Sequence, residues 1–179
     1  ILLVCYNAQL SDFLKFKLTH KKNVKVFHFH NLMEYYCRLS GLSTKRDGNN
    51  TKYYNETLPD NFESSVLQLI ELGKLESYDW LLIDESQDFL TKRNFTILMD
   101  LIKGSKDTRK YVVAIDSGIQ SGVYKNLDYN FLKELKENCN VIPFRRNYRN
   151  PRVLARRACS IVDLPKPVTA RTLPAPPVV

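Results

Sequence analysis

The residues with the clearest chemical potential are Asp84 and Glu85, two adjacent carboxylates that follow the apolar run Trp80-Leu81-Leu82-Ile83. A short run of large aliphatics reads as a strand buried on both faces, as in a parallel sheet. Carboxylates at the end of such a strand are costly to place unless a cation or a reacting group uses them. One could hold a divalent cation, and its neighbour could polarise an attacking water. The plainer alternative is a polar strand exit in which Ser86 or Asp88 caps the following helix.

These acids need elements to hold them. Ile1 to Tyr6 is a short apolar run with the look of an inner strand, and Asn7 is placed to cap a helix in which Leu10, Phe13, Leu14 and Leu18 recur at helical spacing. Val24 to Phe29 alternates as a second strand, and Asn31 to Gly41 reads as an amphipathic helix closed by its glycine. Ser43 to Tyr54 carries no periodicity and is expected to be an exposed, disordered loop. Pro59 should open a helix running to about Leu75. Beyond the acidic strand come a helix around 94–103, a strand at 111–115, a polar turn from Asp116 to Gly122, a helix at 129–137, a strand at Val141–Phe144 and a helix from Pro151 to Val162. Pro165-Lys166-Pro167 and Pro174-Ala175-Pro176-Pro177 then mark an extended linker over residues 164–179.

Short apolar strands separated by helices predict an α/β fold with a mostly parallel sheet, flanked by helices on both faces. Ligands on such sheets bind at the carboxyl ends of the strands. Tyr6-Asn7, His28 to Asn31, Asp84 to Asp88 and Asp116 to Tyr124 all fall there.

The 179 residues suit one α/β domain. A net charge of +8 suggests a polyanionic partner, nucleic acid first. The segment from Arg145 to Arg171 is strongly basic, with Asp163 its single acid. Cys5, Cys37, Cys139 and Cys159 are widely spaced and form no CxxC pair, which argues for reduced thiols in an intracellular, cytoplasmic protein and against a disulfide framework or a zinc site. No apolar run is long enough to cross a membrane. The chain opens on a strand without an initiator Met, as a piece of something longer would.

Four segments together resemble the first RecA-like motor domain of superfamily 1 helicases of the UvrD/Rep type. Leu3-Val4-Cys5-Tyr6-Asn7 is similar to motif Ia of that family, and Val26-Phe27-His28-Phe29-His30-Asn31-Leu32 to its TFHSL segment. Leu82 to Phe89 is similar to the DExQ box, and Asn147-Tyr148-Arg149-Asn150-Pro151 to the NYR motif. The resemblance covers nearly the whole chain and implies a partial P-loop NTPase fold over residues 1–163, with a small insert at 41–77 and a linker toward a second motor domain. It implies ATP and Mg2+ as cofactors. Asp84 would hold the magnesium, Glu85 would activate water, and Gln87 and Gln120 would sense the γ-phosphate. Arg149 would act as an arginine finger, and Tyr148 would stack on the adenine. Tyr6, Asn7, His30 and Tyr124 would line a track for single-stranded DNA, with RNA an alternative.

Three departures from the pattern matter. No GxxxxGK[ST] occurs, so the phosphate loop is expected upstream of Ile1, and these residues alone should not turn over ATP. The segment matching motif III has Ile115 in place of Gly, and its Asp116–Gln120 and Gln120–Tyr124 spacings are each one residue longer. The stretch between His30 and Asp84 is too short for the large inserted subdomain of processive relatives. Two further readings stand beside the motor: a passive nucleic-acid-binding or regulatory module with a helicase-like fold, and, ranked last, a metal-dependent nuclease built on Asp84 and Glu85.

Overall fold

The computed structural model describes residues 1–46, 48–115, 128–144, 146–147, 152–161 and 168–169. It divides into two compact units, Ile1–Leu132 and Lys133–Val179.

The first unit is built on a four-stranded, all-parallel sheet in the order β2-β1-β3-β4. Its strands are β1 (Leu2–Cys5), β2 (Lys25–His28), β3 (Leu81–Asp84) and β4 (Tyr111–Val113). Strand β3, which ends in the acids, lies between β1 and β4, with Cys5 in register with both His28 and Asp84. The carboxyl ends of β1, β2 and β3 therefore meet at one edge of the sheet.

Helices join the strands. Helix α1 (Ala8–Leu18) links β1 to β2, and its first turn is capped as the sequence predicts, with Asn7 Oδ1 accepting from the Leu10 amide at 3.0 Å. Helix α2 (Phe29–Ser40) starts two residues before the expected Asn31 and ends at Gly41, whose φ of 82° is the left-handed cap that glycine adopts without strain. Helix α4 (Leu58–Glu71) packs on α2 through Tyr36 and Phe62, while α5 (Lys92–Asp100) leads into β4. Right-handed crossovers place α1 on one face of the sheet and α2, α4 and α5 on the other. Ring contacts agree with the second placement: Phe27 of β2 meets Tyr35 of α2 at 5.3 Å, and Tyr111 of β4 meets Phe95 of α5 at 5.2 Å. Leu2, Val4, Leu81 and Ile83 of the strands are buried in the core, as are Leu32, Tyr36, Leu58, Phe62 and Leu98 of the helices. On the opposite face α1 packs over β1 and β2, and the surface opens toward β4, where Val112 is 51% exposed.

Two expectations fail. The stretch from Ser43 to Tyr54 is not a loop throughout. Asn49 caps a short helical turn, α3 (Asn50–Lys52), which runs through a π-helix (Tyr53–Thr57) straight into α4. Tyr53 is 1% exposed in the core, so burial of one aromatic outweighs the polar composition around it. Val141–Phe144 forms no strand: Val141, Ile142 and Phe144 are exposed, Phe144 at 93%. An apolar run reads as a strand only if a neighbouring strand pairs with it, and none does among the described residues.

In the second unit, β5 (Arg146–Asn147) pairs in parallel with β6 (Val168–Thr169), and α7 (Arg152–Ile161) lies between them in sequence. Strand β6 falls within the stretch expected to be linker. Helix α6 (Tyr129–Glu137) spans the division, its Phe131 ring against Phe95 in the first unit.

Candidate functional site at the carboxyl edge of the sheet

Strand β3 delivers Asp84 and Glu85 to the edge, and the backbone then turns sharply. Glu85 has φ 51° and ψ 42°, a left-handed conformation, and is the only described residue other than glycine with positive φ. A side chain larger than that of Asn or Asp rarely adopts this conformation, and the strain persists only where surrounding structure enforces it. The enforcement is visible. The Glu85 amide donates to Asp84 Oδ1 at 3.0 Å, and the Ser86 hydroxyl donates to the Ala114 carbonyl at 2.9 Å beyond β4. Ser86 to Asp88 close a single 3-10 turn.

Gln87 is fully buried, and its amide Nε2 donates to Glu85 Oε2 at 2.5 Å. Asp84 and Glu85 are both half-buried, in contact with solvent on one side and with protein on the other. The arrangement offers one carboxylate to a cation and a second, oriented by a buried amide, to a water. Neither Ser86 nor Asp88 caps the next helix. Thr91 does so, its Oγ1 accepting from the Asn94 amide at 3.2 Å, so the plain strand-exit explanation for the acids loses its capping role.

Beside the acids lies an aromatic cluster. Tyr6, just past β1, stacks on Phe89 with a centroid separation of 5.9 Å and an interplanar angle of 13°, and meets His30 edge-on at 5.5 Å. His30 also touches His28 at 5.3 Å and Tyr54 at 4.6 Å. Burial, reinforced by the neighbouring His28, lowers the His30 pKa to about 4, so its ring is neutral at physiological pH and is suited to stacking rather than to holding a phosphate. Burial likewise raises the Tyr6 hydroxyl, with the Asp88 carboxylate adding to the effect. Tyr6, His30, Tyr54 and Phe89, with Phe29, Asp88 and Asn94 among others, line an open cavity of ≈ 310 Å³.

Of the residues singled out from sequence, Tyr6, His30, Asp84, Glu85 and Gln87 come together at this edge. Asn7 is there too, but its side-chain oxygen is engaged in capping α1. Gln120, Tyr124, Tyr148 and Arg149 lie outside the described residues. Sequence reasoning missed Tyr54 as part of the site, and gave no separate role in the site to Asp88 or Phe89 although both lie in segments it singled out. The adjacent pair Tyr53-Tyr54, isolated in a polar stretch, was the available signal for Tyr54. Among the described residues no group of three or more His, Cys, Asp or Glu side chains could hold a metal ion by itself, and no disulfide joins the cysteines. No described helix is long and apolar enough to cross a membrane.

Comparison of the chain with protein-family models, with curated proteins and with solved structures finds no match.

Proposed function

We propose that this chain is part of an ATP-driven motor that moves along single-stranded nucleic acid, with a partial RecA-like fold of the UvrD/Rep type. The observation that carries the reading is the strained backbone at Glu85. A non-glycine residue held left-handed at the tip of an inner strand, with a buried glutamine bonded to its carboxylate, is what a site that must aim one acid would need. The order of motifs in the sequence supports it, as does the gathering of Tyr6, His30 and the acid pair at one edge.

When bound, magnesium and ATP supply the phosphoryl group and the cation that neutralises its charge. Asp84 would hold that cation through a carboxylate oxygen, a hard ligand suited to it. Glu85 accepts the proton of the attacking water, and Gln87 keeps the Glu85 carboxylate in position. On this reading Arg149 stabilises charge on the transferred phosphoryl group, Tyr148 stacks on adenine, and Gln120 couples the phosphate to the strand. Tyr6, His30 and Tyr124 stack on bases without selecting sequence, and the basic surplus binds the backbone in a salt-dependent manner. The motor reading requires a phosphate loop, and no GxxxxGK[ST] occurs in these 179 residues.

The altered motif III segment, with Ile115 for Gly, favours a second reading: a module that binds strands without hydrolysis. One experiment separates the two. ATP turnover is measured with and without single-stranded DNA in the protein carrying both this domain and a phosphate loop, native and Glu85→Gln. The motor reading expects strand-stimulated turnover that drops at least a hundredfold in the variant, in line with the usual contribution of general-base catalysis, about 10²–10⁴-fold. Strand binding without turnover would leave the passive module.

A further inference from the structure

We infer that the strand track runs on from the sheet edge over the segment 43–54, where the Arg46 guanidinium holds a phosphate beside the Tyr54 ring; the inference rests on the single-strand reading above.

Strand order sets the direction of the track. Strand β1 lies between β3 and β2, so Tyr6 follows the strand next to the acids and His30 follows the outer strand. From Tyr6 the rings continue to His30 at 5.5 Å and on to Tyr54 at 4.6 Å, all three half-buried and lining the same open cavity. The row thus leads away from Asp84 and Glu85, and it ends on a cation. The Arg46 guanidinium carbon lies 5.1 Å from the Tyr54 ring centre and 5.8 Å from that of Tyr53. Rings of this kind stack bases of any sequence, while a cation beside them takes the backbone.

Exposure and charge both suit Arg46 to that task. Its side chain is 51% exposed. A guanidinium over a ring keeps its N–H donors in its own plane, where a phosphate can meet two of them. Glu34 approaches Arg46 at 3.8 Å, but it also approaches Arg38, at 3.6 Å. One carboxylate shared by two guanidiniums leaves positive charge over. The neighbouring sequence adds to the surplus: from Ser43 to Tyr54, Lys45, Arg46 and Lys52 stand against Asp47.

Arg93 lines the cavity itself, yet it is the poorer candidate. Its guanidinium is held by two carboxylates, Asp60 and Glu63 of α4, at 2.7 and 2.5 Å. Two acids more than neutralise one cation, so a phosphate drawn to this edge meets net attraction at Arg46 and not at Arg93. The chain's net charge of +8 fits the same polyanion.

The test is the affinity of the 179-residue chain for labelled oligothymidine, by fluorescence anisotropy over a series of salt concentrations. It compares the native chain with Arg46→Ala, Arg46→Lys and Lys103→Ala. Lys103 pairs with Asp79 ahead of β3, at the opposite end of the sheet, and serves as a charge-matched control. Arg46→Ala should weaken binding roughly tenfold at low salt, as the loss of a charged hydrogen bond implies. It should also flatten the plot of log affinity against log salt by about 0.7, the share of one phosphate contact in a single strand. Arg46→Lys should keep the slope, because the charge remains, and Lys103→Ala should change neither quantity. An unchanged slope in Arg46→Ala, or an equal loss in Lys103→Ala, would overturn the anchor and leave the single-strand reading standing. A slope that Arg46→Lys fails to restore would mean that the side chain acts through packing rather than charge, and would overturn the anchor as well. Failure of the native chain to bind the strand would overturn the inference and the single-strand reading together.

Discussion

At Glu85 the demands of stability and of chemistry oppose each other. The left-handed backbone costs about 1–3 kcal/mol for a residue of this kind. Glycine adopts that conformation freely, so Glu85→Gly should raise the unfolding midpoint in denaturant, by an amount near the lower end of that range once the added flexibility of the unfolded chain is counted. On the motor reading, ATP turnover should vanish in the same variant. A lower midpoint would mean that the Gln87 hydrogen bond outweighs the strain. His30 offers a second test. Its folded-state pKa is lowered from 6.5 to about 4, so the unfolded chain takes up the proton first as the pH drops. The contribution is complete above about pH 6.5 and is lost as pH falls toward 4. His28, Tyr6 and Tyr54 face the ring, and Asp88, whose carboxyl is raised by burial and by Glu85, acts in the opposite direction over part of that range. The difference in denaturation midpoint between native protein and His30→Phe, followed from pH 7 to 4, isolates the imidazole and should shift in favour of the variant as the pH falls. The acids and Gln87 were legible because their order along the chain is distinctive. The strain at Glu85 was not, since a backbone conformation of this kind has no signature in residue type or spacing.

At the level of elements, the segment from Asn49 to Glu71 changes most between expectation and structure. Gly48, Asn49 and Asn50 read as a loop by composition, and Asn49 does sit outside a helix, but as the cap of one. The π-helix that follows turns Tyr53 into the core, where its hydroxyl donates to the Thr44 carbonyl at 3.1 Å, and leaves Tyr54 at the cavity wall. One wide turn thus gives two adjacent tyrosines opposite placements, one in the core and one at the cavity wall. Tyr53→Ala should cost about 3–5 kcal/mol, as truncation of a buried aromatic usually does, and should weaken strand binding because Tyr54 loses its support. Urea denaturation and anisotropy on the same sample check both halves. Tyr54→Ala, by contrast, should weaken binding with little loss of stability, because its ring is only half-buried. The β1, α1 and β2 segments were read nearly to the residue because apolar periodicity and an asparagine cap coincided there. Val141–Phe144 misled because its apolar character is real while its pairing is missing, and pairing is a property of the neighbouring chain rather than of the run itself.

The first unit is organised by an all-parallel sheet whose inner strands, β1 and β3, meet across a long interval of sequence. The α/β class and the parallel order follow from alternating strands and helices, and both were accessible from the chain alone. The order β2-β1-β3-β4 was not, because apolar runs do not announce their neighbours. That order brings Tyr6, the two histidines and the acid pair to one edge, although they come from three separate stretches. The Leu2–Leu81 pairing closes a loop containing α1, β2, α2 and α4. Parallel pairings of this range form slowly, since the entropy of closing the loop is spent before the contacts can reward it. Tyr6 and Glu85 are brought together by this long-range pairing, so a copy in which it has not formed lacks the assembled edge. On the single-strand reading, binding would then require that pairing, and a bound strand would hold the two distant stretches together.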